Sequence, residues 1–319
     1  MAQKEAILLL NMGGPNNLDE VELFLKNMFN DKNILTMKSD LLRSFVAQMI
    51  VFMRTEKAQE VYRELGGKSP IVSYTKKLIK KVQERVGDEV FVDYVMRYTP
   101  PFSSEVIQKL EDKKIEKIYL IPLYPQYSST TTKSSLEDFE NIYHTSNLNA
   151  ILIEKKYFFQ NQMFNKAIIE KIKEAMINEQ YNQFDLIFSA HGLPQKIVDR
   201  GDLYQQHIHQ HIDILKTMLQ EEGMFFHSVH LAYQSKVGPM KWLEPSLEEK
   251  LQALSPKKKV LIYPIAFIID NSETKYELDI EYKEVAQELG YETYKVASCV
   301  NDSDLFVDAI IEMYDEMKQ

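Results

Sequence analysis

His191 and the carboxylates of residues 270–281 have the types and spacing to do chemistry. His191 lies in the run Phe188-Ser189-Ala190-His191-Gly192-Leu193-Pro194, which continues the apolar stretch Asp185-Leu186-Ile187-Phe188 and closes at a proline. A histidine carried to the C-terminal end of a strand in an α/β sheet sits where such folds bind ligands, and it can offer a ring nitrogen to a metal or a proton. A loop histidine bonded to backbone would leave the same local pattern. Asp270, Glu273, Glu277 and Glu281 follow at spacings of three, four and four, which on a helix makes one acidic stripe. That stripe reads either as a solvated helix face or as a row that passes cations in or protons out. Crowded carboxylates have raised pKa values and can accept protons near neutral pH. Glu273 stands apart, because it follows the apolar run Val260–Phe267 at a strand-to-helix corner.

Three further segments carry polar chemistry. Tyr124–Thr132 is rich in hydroxyls and follows an apolar run, so it is either a plain polar loop or a turn that gathers donors on an anion. His207 and His211 are four apart and could chelate a metal on one helix face, with His209 pointing elsewhere. No carboxylate lies between them in the zinc-protease pattern, and an exposed polar helix face is expected there. Gly13-Gly14 follows the first apolar run but has neither the dinucleotide spacing nor a Gly-Lys-Ser sequence, which excludes a nucleotide loop of either kind.

These side chains must be positioned by a regular frame. Eight apolar runs alternate with helix-period segments: Ala6–Asn11, Val90–Met96, Ile118–Leu123, Ala150–Glu154, Leu186–Ala190, Val229–Tyr233, Val260–Ile265 and Tyr291–Val296. Most are continuous rather than alternating, as strands covered on both faces should be. Thr75–Val86, Asn165–Asn178, Leu203–Glu222 and Glu273–Leu289 read as the clearest helices. The alternation predicts an α/β fold of two doubly wound parallel-sheet, Rossmann-like domains. The polar segment Ser146–Asn149 sets the expected boundaries at 1–147 and 148–302, followed by a C-terminal helix over 303–319.

Composition narrows the classes. With 319 residues, two domains are expected. A net charge of −9 without a basic block argues against a nucleic-acid partner. Cys299 is the single cysteine, so a disulfide framework is excluded, as is an iron–sulfur cluster needing about four cysteine ligands. No apolar run approaches the ~20 residues of a membrane span, and Ala6–Leu10 reads as a first strand rather than a signal core. A cytoplasmic protein is expected.

Taken together, Leu10-Asn11-Met12-Gly13-Gly14-Pro15, Tyr124–Thr132, Ser189–Pro194, Tyr233–Met240 and Asp270-Asn271-Ser272-Glu273-Thr274 resemble the ferrochelatase family over nearly the whole chain. The resemblance implies the chelatase fold, with the active site in the cleft between the two halves and the last helix crossing back onto the first. It implies insertion of Fe2+ into protoporphyrin IX to form protohaem, with release of two protons. Iron is then a substrate, and no tightly bound cofactor and no iron–sulfur cluster are expected. His191 and Glu273 are the implied catalytic residues and metal ligands. Which of them holds metal and which takes a proton stays open. Met12, Tyr62, Ser69, Arg97, Tyr124 and Trp242 are the implied porphyrin contacts, and Asp270, Glu277 and Glu281 the implied proton or metal path. The apolar, methionine-rich segment 34–53 reads as a buried helix by pattern. By resemblance it is a porphyrin lip able to touch a membrane peripherally.

Two details qualify the resemblance. Many ferrochelatases carry histidine where this chain has Asn271, and asparagine cannot accept a proton. Met12 resembles the enzymes that use protoporphyrin, whereas coproporphyrin-type enzymes typically have tyrosine at this position. Another tetrapyrrole metal chelatase, or a haem or porphyrin carrier without turnover, are the rival readings.

Overall fold

The computed structural model describes residues 4–236, 238, 240–254 and 258–319. The motif over 233–240 is therefore covered except at Val237 and Pro239, which lie outside the described residues. All eight expected strands form: β1 (Glu5–Asn11), β2 (Val90–Met96), β3 (Lys117–Pro122), β4 (Ile151–Glu154), β5 (Phe184–His191), β6 (Ser228–Gln234), β7 (Lys259–Pro264) and β8 (Thr293–Val296). They build two four-stranded sheets, ordered β2-β1-β3-β4 and β6-β5-β7-β8, and every pairing is parallel.

The apolar runs explain this arrangement. Ala6 to Leu10 and Leu186 to Phe188 are almost wholly buried; each sits on a central strand with helices on both faces, so neither face needs polar side chains. In the first sheet Ala6, Leu8 and Leu10 join Val106, Leu110 and Phe139 in one core. In the second, Ile187, Val260 and Ile262 pack with Leu247, Leu251 and Leu278.

The chain divides into two compact units, 1–157 with 307–319, and 158–306. The expected boundary at 147 is thus about a strand too early. β4 pairs with β3 and belongs to the first sheet, although the polar turn before it suggested a break. Residues 307–319 count with the first unit. There Tyr314 donates to Glu5 (2.6 Å) and its ring meets Tyr119 edge-on at 4.8 Å.

Two segments differ from their reading by pattern alone. The helix Asp40–Glu64 buries Ala47, Val51 and Tyr62, but its apolar side chains Leu41, Leu42, Phe45, Met49, Phe52 and Met53 are all exposed. Conversely, His207 and His211 do not lie on an exposed polar face. They share one side of the helix Tyr204–Glu221, as their spacing required, but that side faces the core. His211 stacks near Phe164 and its Nε2 lies 2.7 Å from Asn165 Oδ1. Among the described residues no group of three or more His, Cys, Asp or Glu side chains is arranged to hold a metal ion, and no helix is long and apolar enough to cross a membrane.

The buried His211 has a consequence for acid stability. Burial pushes its pKa from 6.5 down to about 3. Between those values the unfolded chain binds a proton that the folded chain does not, so stability from this group is complete above the unfolded pKa and falls as pH falls. The expected slope from this one side chain is about 1.4 kcal/mol per pH unit. Melting temperatures across that range should fall less steeply for His211→Gln than for the wild type; parallel curves would show that another group controls the acid limb.

Candidate active site

β5 ends on His191, and the backbone continues through Gly192, whose N–H donates to the Gln234 carbonyl (2.9 Å) at the end of β6. A Cβ at Gly192 would stand 2.8 Å from that carbonyl and 3.4 Å from Trp242 Cε3. The missing side chain therefore lets the histidine turn, β6 and Trp242 close on one another. Pro194 and Trp242 form an antiparallel bridge, so Trp242 is held beside the histidine turn. Tyr204 donates its hydroxyl to the His191 carbonyl at 2.9 Å.

After β7 the chain turns through Phe267, whose ring meets His191 edge-on at 6.2 Å, and enters the helix Glu273–Glu281. This helix is of the π type rather than α. Its i→i+5 bonding makes a wider turn, so residues four apart stay close to one line. Thr274 and Leu278 form its buried side, and Glu273 and Glu277 stand on the neighbouring side. Single-turn π segments often mark functional sites.

Glu273 Oε2 lies 3.1 Å from His191 Nδ1, an ion-pair distance at which the ring N–H is not aligned for a hydrogen bond. About a third of each side chain remains accessible (34% and 29%), so a small ligand can reach both. Burial in the dense protein around the ring opposes its charge. The Glu273 carboxylate, aided by Glu277, outweighs that and raises the His191 pKa above its ordinary value.

Glu277 accepts from Gln234 Nε2 (3.0 Å) and Ser235 Oγ (2.6 Å). Gln234 is fully buried, and Ser189 donates to its Oε1 at 2.8 Å, which fixes the amide so that its NH2 faces Glu277. Burial, then the charge on Glu273, raises the Glu277 pKa. Two carboxylates of unlike setting therefore stand beside one histidine: Glu273 against the ring, Glu277 in a cradle of donors. Gln234 and Ser235 belong to the segment Tyr233–Met240, but nothing in their order revealed that they would hold a carboxylate.

Not all of the expected acidic row assembles. Glu281 is exposed. Asp270 is buried and turned to a different set of partners, accepting from Asn301 Nδ2 (2.7 Å) and Thr274 Oγ1 (2.9 Å). It does not continue the row as the spacing suggested, because it precedes the helix and belongs to the corner. Asn271 accepts the Glu273 N–H at 2.8 Å. It thus satisfies a donor at the helix start, a task for which asparagine is well suited.

The residues expected in the first unit form their own cluster. Arg97, just beyond β2, is held on two sides, by Asp31 (3.2 Å) and Asp138 (3.1 Å), and its Nε donates to Ser134 at 3.1 Å. Asp31 also accepts from the hydroxyls of Tyr98 (2.9 Å) and Ser134. The guanidinium was expected to contact the porphyrin; in this structure two protein carboxylates already engage it. Asp31 was not among the expected residues; nothing in its local sequence marks it, and only the tertiary fold buries it.

Tyr124 is buried with its hydroxyl 3.1 Å from Ser135 Oγ, and burial pushes its pKa well up. Tyr62 packs in an apolar cluster with Tyr98 and Val51, and Met12 lies against that cluster. Ser69 is buried against Gly14, where a Cβ would come within 2.6 Å of its Oγ.

The fold defines a class. The solved structure of SirB from Bacillus subtilis with Fe3+ covers 99% of this chain and 96% of its own at TM-score 0.59 and 13% identity. A second, of the sirohydrochlorin chelatase SirB from Bacillus subtilis subspecies spizizenii with cobalt, covers 99% and 95% at TM-score 0.59 and 9% identity. The architecture is therefore the one used by chelatases. A ferrochelatase family model matches residues 4–318. Curated ferrochelatases of Sulfurimonas denitrificans and of Helicobacter pylori strain J99 are 64% and 47% identical. The first alignment covers 99% of this chain and all of the relative, the second 99% and 94%. The chain belongs to the ferrochelatase family, lyases of haem biosynthesis that insert iron into protoporphyrin.

Proposed function

We propose that this chain inserts ferrous iron into protoporphyrin IX, with His191 and Glu273 as the pair that receives the metal and the pyrrole protons. The 3.1 Å contact between them, at a strand end and a π-helix start, carries this reading. Insertion sets three physical tasks. Two N–H protons must leave, the ion must shed part of its water shell, and the flat macrocycle must bend so that its nitrogen lone pairs leave the plane. The first two need a base and an oxygen or nitrogen ligand within reach of one another. The third is strain supported by binding energy elsewhere on the ligand.

The setting of each group suits its part. A neutral imidazole can ligate iron or take a proton, and the adjacent carboxylate stabilises the imidazolium once a proton has arrived. Glu277, held by Gln234 and Ser235, is a second acceptor one helical step away, which matches the two protons of the reaction. Asn271 supplies no base, so the relay here runs through the two glutamates rather than through a second histidine.

Met12, Tyr62, Ser69, Arg97, Tyr124 and Trp242 are read as porphyrin contacts. With Arg97 already engaged by Asp31 and Asp138, its part is to hold Tyr98 and the neighbouring hydroxyls in place as much as to pair with a propionate. The exposed apolar side of the helix Asp40–Glu64 is read as the lip through which porphyrin arrives, in peripheral contact with a membrane. Co-sedimentation with lipid vesicles measures that contact. Iron is cargo, and no tightly bound cofactor is needed.

Insertion assays with iron, cobalt and zinc on protoporphyrin IX and coproporphyrin III test the function. The expected result is a higher kcat/KM for protoporphyrin, because specificity is a ratio of these constants. Coproporphyrin has two additional carboxylates, and beside Met12 they would enter an apolar wall without partners, at a cost in free energy. A higher kcat/KM for coproporphyrin would reverse the assignment, and binding without any metal insertion would make the protein a carrier.

A further inference from the structure

We propose that Asp270 and Asn301 form a clasp that positions Glu273 against His191, so that Asp270 serves the site by geometry rather than as a station for protons or metal. This rests on the reading of His191 and Glu273 as the reacting pair.

The clasp is reciprocal. Asp270 N–H donates to Asn301 Oδ1 (2.9 Å), and Asn301 Nδ2 donates to Asp270 Oδ2 (2.7 Å). Asn301 N–H also donates to the Ile268 carbonyl at 2.9 Å. One asparagine thus makes three bonds to the corner between β7 and the π-helix, from a loop that follows β8. Asn301 has φ +51°, the left-handed region that asparagine enters more readily than most residues.

The other carboxylate oxygen faces the helix. Thr274 Oγ1 donates to Asp270 Oδ1 (2.9 Å), and Asn271 N–H donates back to Thr274 Oγ1 (3.0 Å). Asn271 Oδ1 then accepts from Glu273 N–H. Bonds therefore run without a gap from Asn301 through Asp270, Thr274 and Asn271 to the backbone of Glu273. Asp270, Asn271 and Thr274 are buried, and the charge on Asp270 is met by Lys275 at 3.8 Å. A group so enclosed is a poor carrier and a good anchor, since each buried bond left unmade costs its full desolvation. The separation of Glu273 from His191 depends on where this corner sits, and a small misplacement of reacting groups can cost a hundredfold in rate.

The test exchanges the two groups. Asp270→Asn sets an NH2 against either Asn301 Nδ2 or the Thr274 donor, and Asn301→Asp sets two carboxylates together. Each alone is expected to lower kcat about tenfold or more with little change in porphyrin KM. The double variant Asp270→Asn/Asn301→Asp restores an amide facing a carboxylate, at the loss of the Asn301 Nδ2 bond to the Cys299 carbonyl (3.2 Å), and is expected to raise kcat at least about threefold above either single variant.

A carrier role at position 270 would stay lost in the double variant, because the carboxylate has moved to 301. A double variant as slow as Asp270→Asn overturns the proposal, as do single variants with full kcat. Where Asn301→Asp does not fold, Asn301→Gly keeps the left-handed backbone and removes the side-chain bonds; wild-type kcat there also overturns it. Retained activity in His191→Ala would instead remove the reading beneath, which separates the two failures.

Discussion

Replacing His191 with alanine is expected to abolish iron insertion, by about a hundredfold or more, while the protein still unfolds cooperatively. Positioned acid–base groups usually contribute that much, and His191 is the ring that Glu273 meets at 3.1 Å. Its side chain keeps a third of its accessible surface, so its removal opens no deep cavity in the core, and the carbonyl that Tyr204 bonds belongs to the backbone. Steady-state insertion of iron into protoporphyrin, beside a thermal melt, gives the answer. Activity within about threefold of wild type would mean that some other group receives the metal or proton.

The second large effect is a contrast. Glu273→Gln should cost far more activity than Glu281→Gln, about tenfold further at least, because the lost carboxylate is the one that stabilises charge on His191. Glu281 ends the π-helix and is exposed, whereas Glu273 starts it, with its N–H capped by Asn271. Equal losses in kcat would show that the carboxylates act as one unit rather than as a graded row. Glu277 should fall between the two, since Gln234 and Ser235 hold it in place without direct contact with the ring.

The strands were legible for a simple reason. Parallel strands with helices on both faces bury every side chain, so β1 and β5 read as unbroken apolar runs, a signal that survives without knowledge of any partner. β4 is an edge strand with Ile151 exposed, and its membership depends on pairing with β3, so the boundary drawn before it was early. The spacing of His207 and His211 predicted their common face correctly but not its direction. Histidine is found in cores and on surfaces alike, and the aromatic neighbours that bury it come from residues 159 and 164.

The types and order of residues alone determined the α/β class, the family resemblance, and the placing of one histidine at a strand end and one glutamate at the strand-to-helix corner after another. These depend on local pattern, which each segment carries by itself. Tertiary structure decided which side chains meet. Arg97 answers to Asp31, Gln234 turns its amide to Glu277, and Asp270 leaves the acidic row for Asn301. Each of those bonds joins residues at least thirty positions apart in the chain, and the buried polar group gains from it only when packing has removed water from both partners. The π-helix was likewise beyond reach of periodicity. Nine residues are too few to separate its wider turn from that of an α-helix; in the fold Leu278 packs in the core and Tyr294 donates to the Leu278 carbonyl at 3.0 Å.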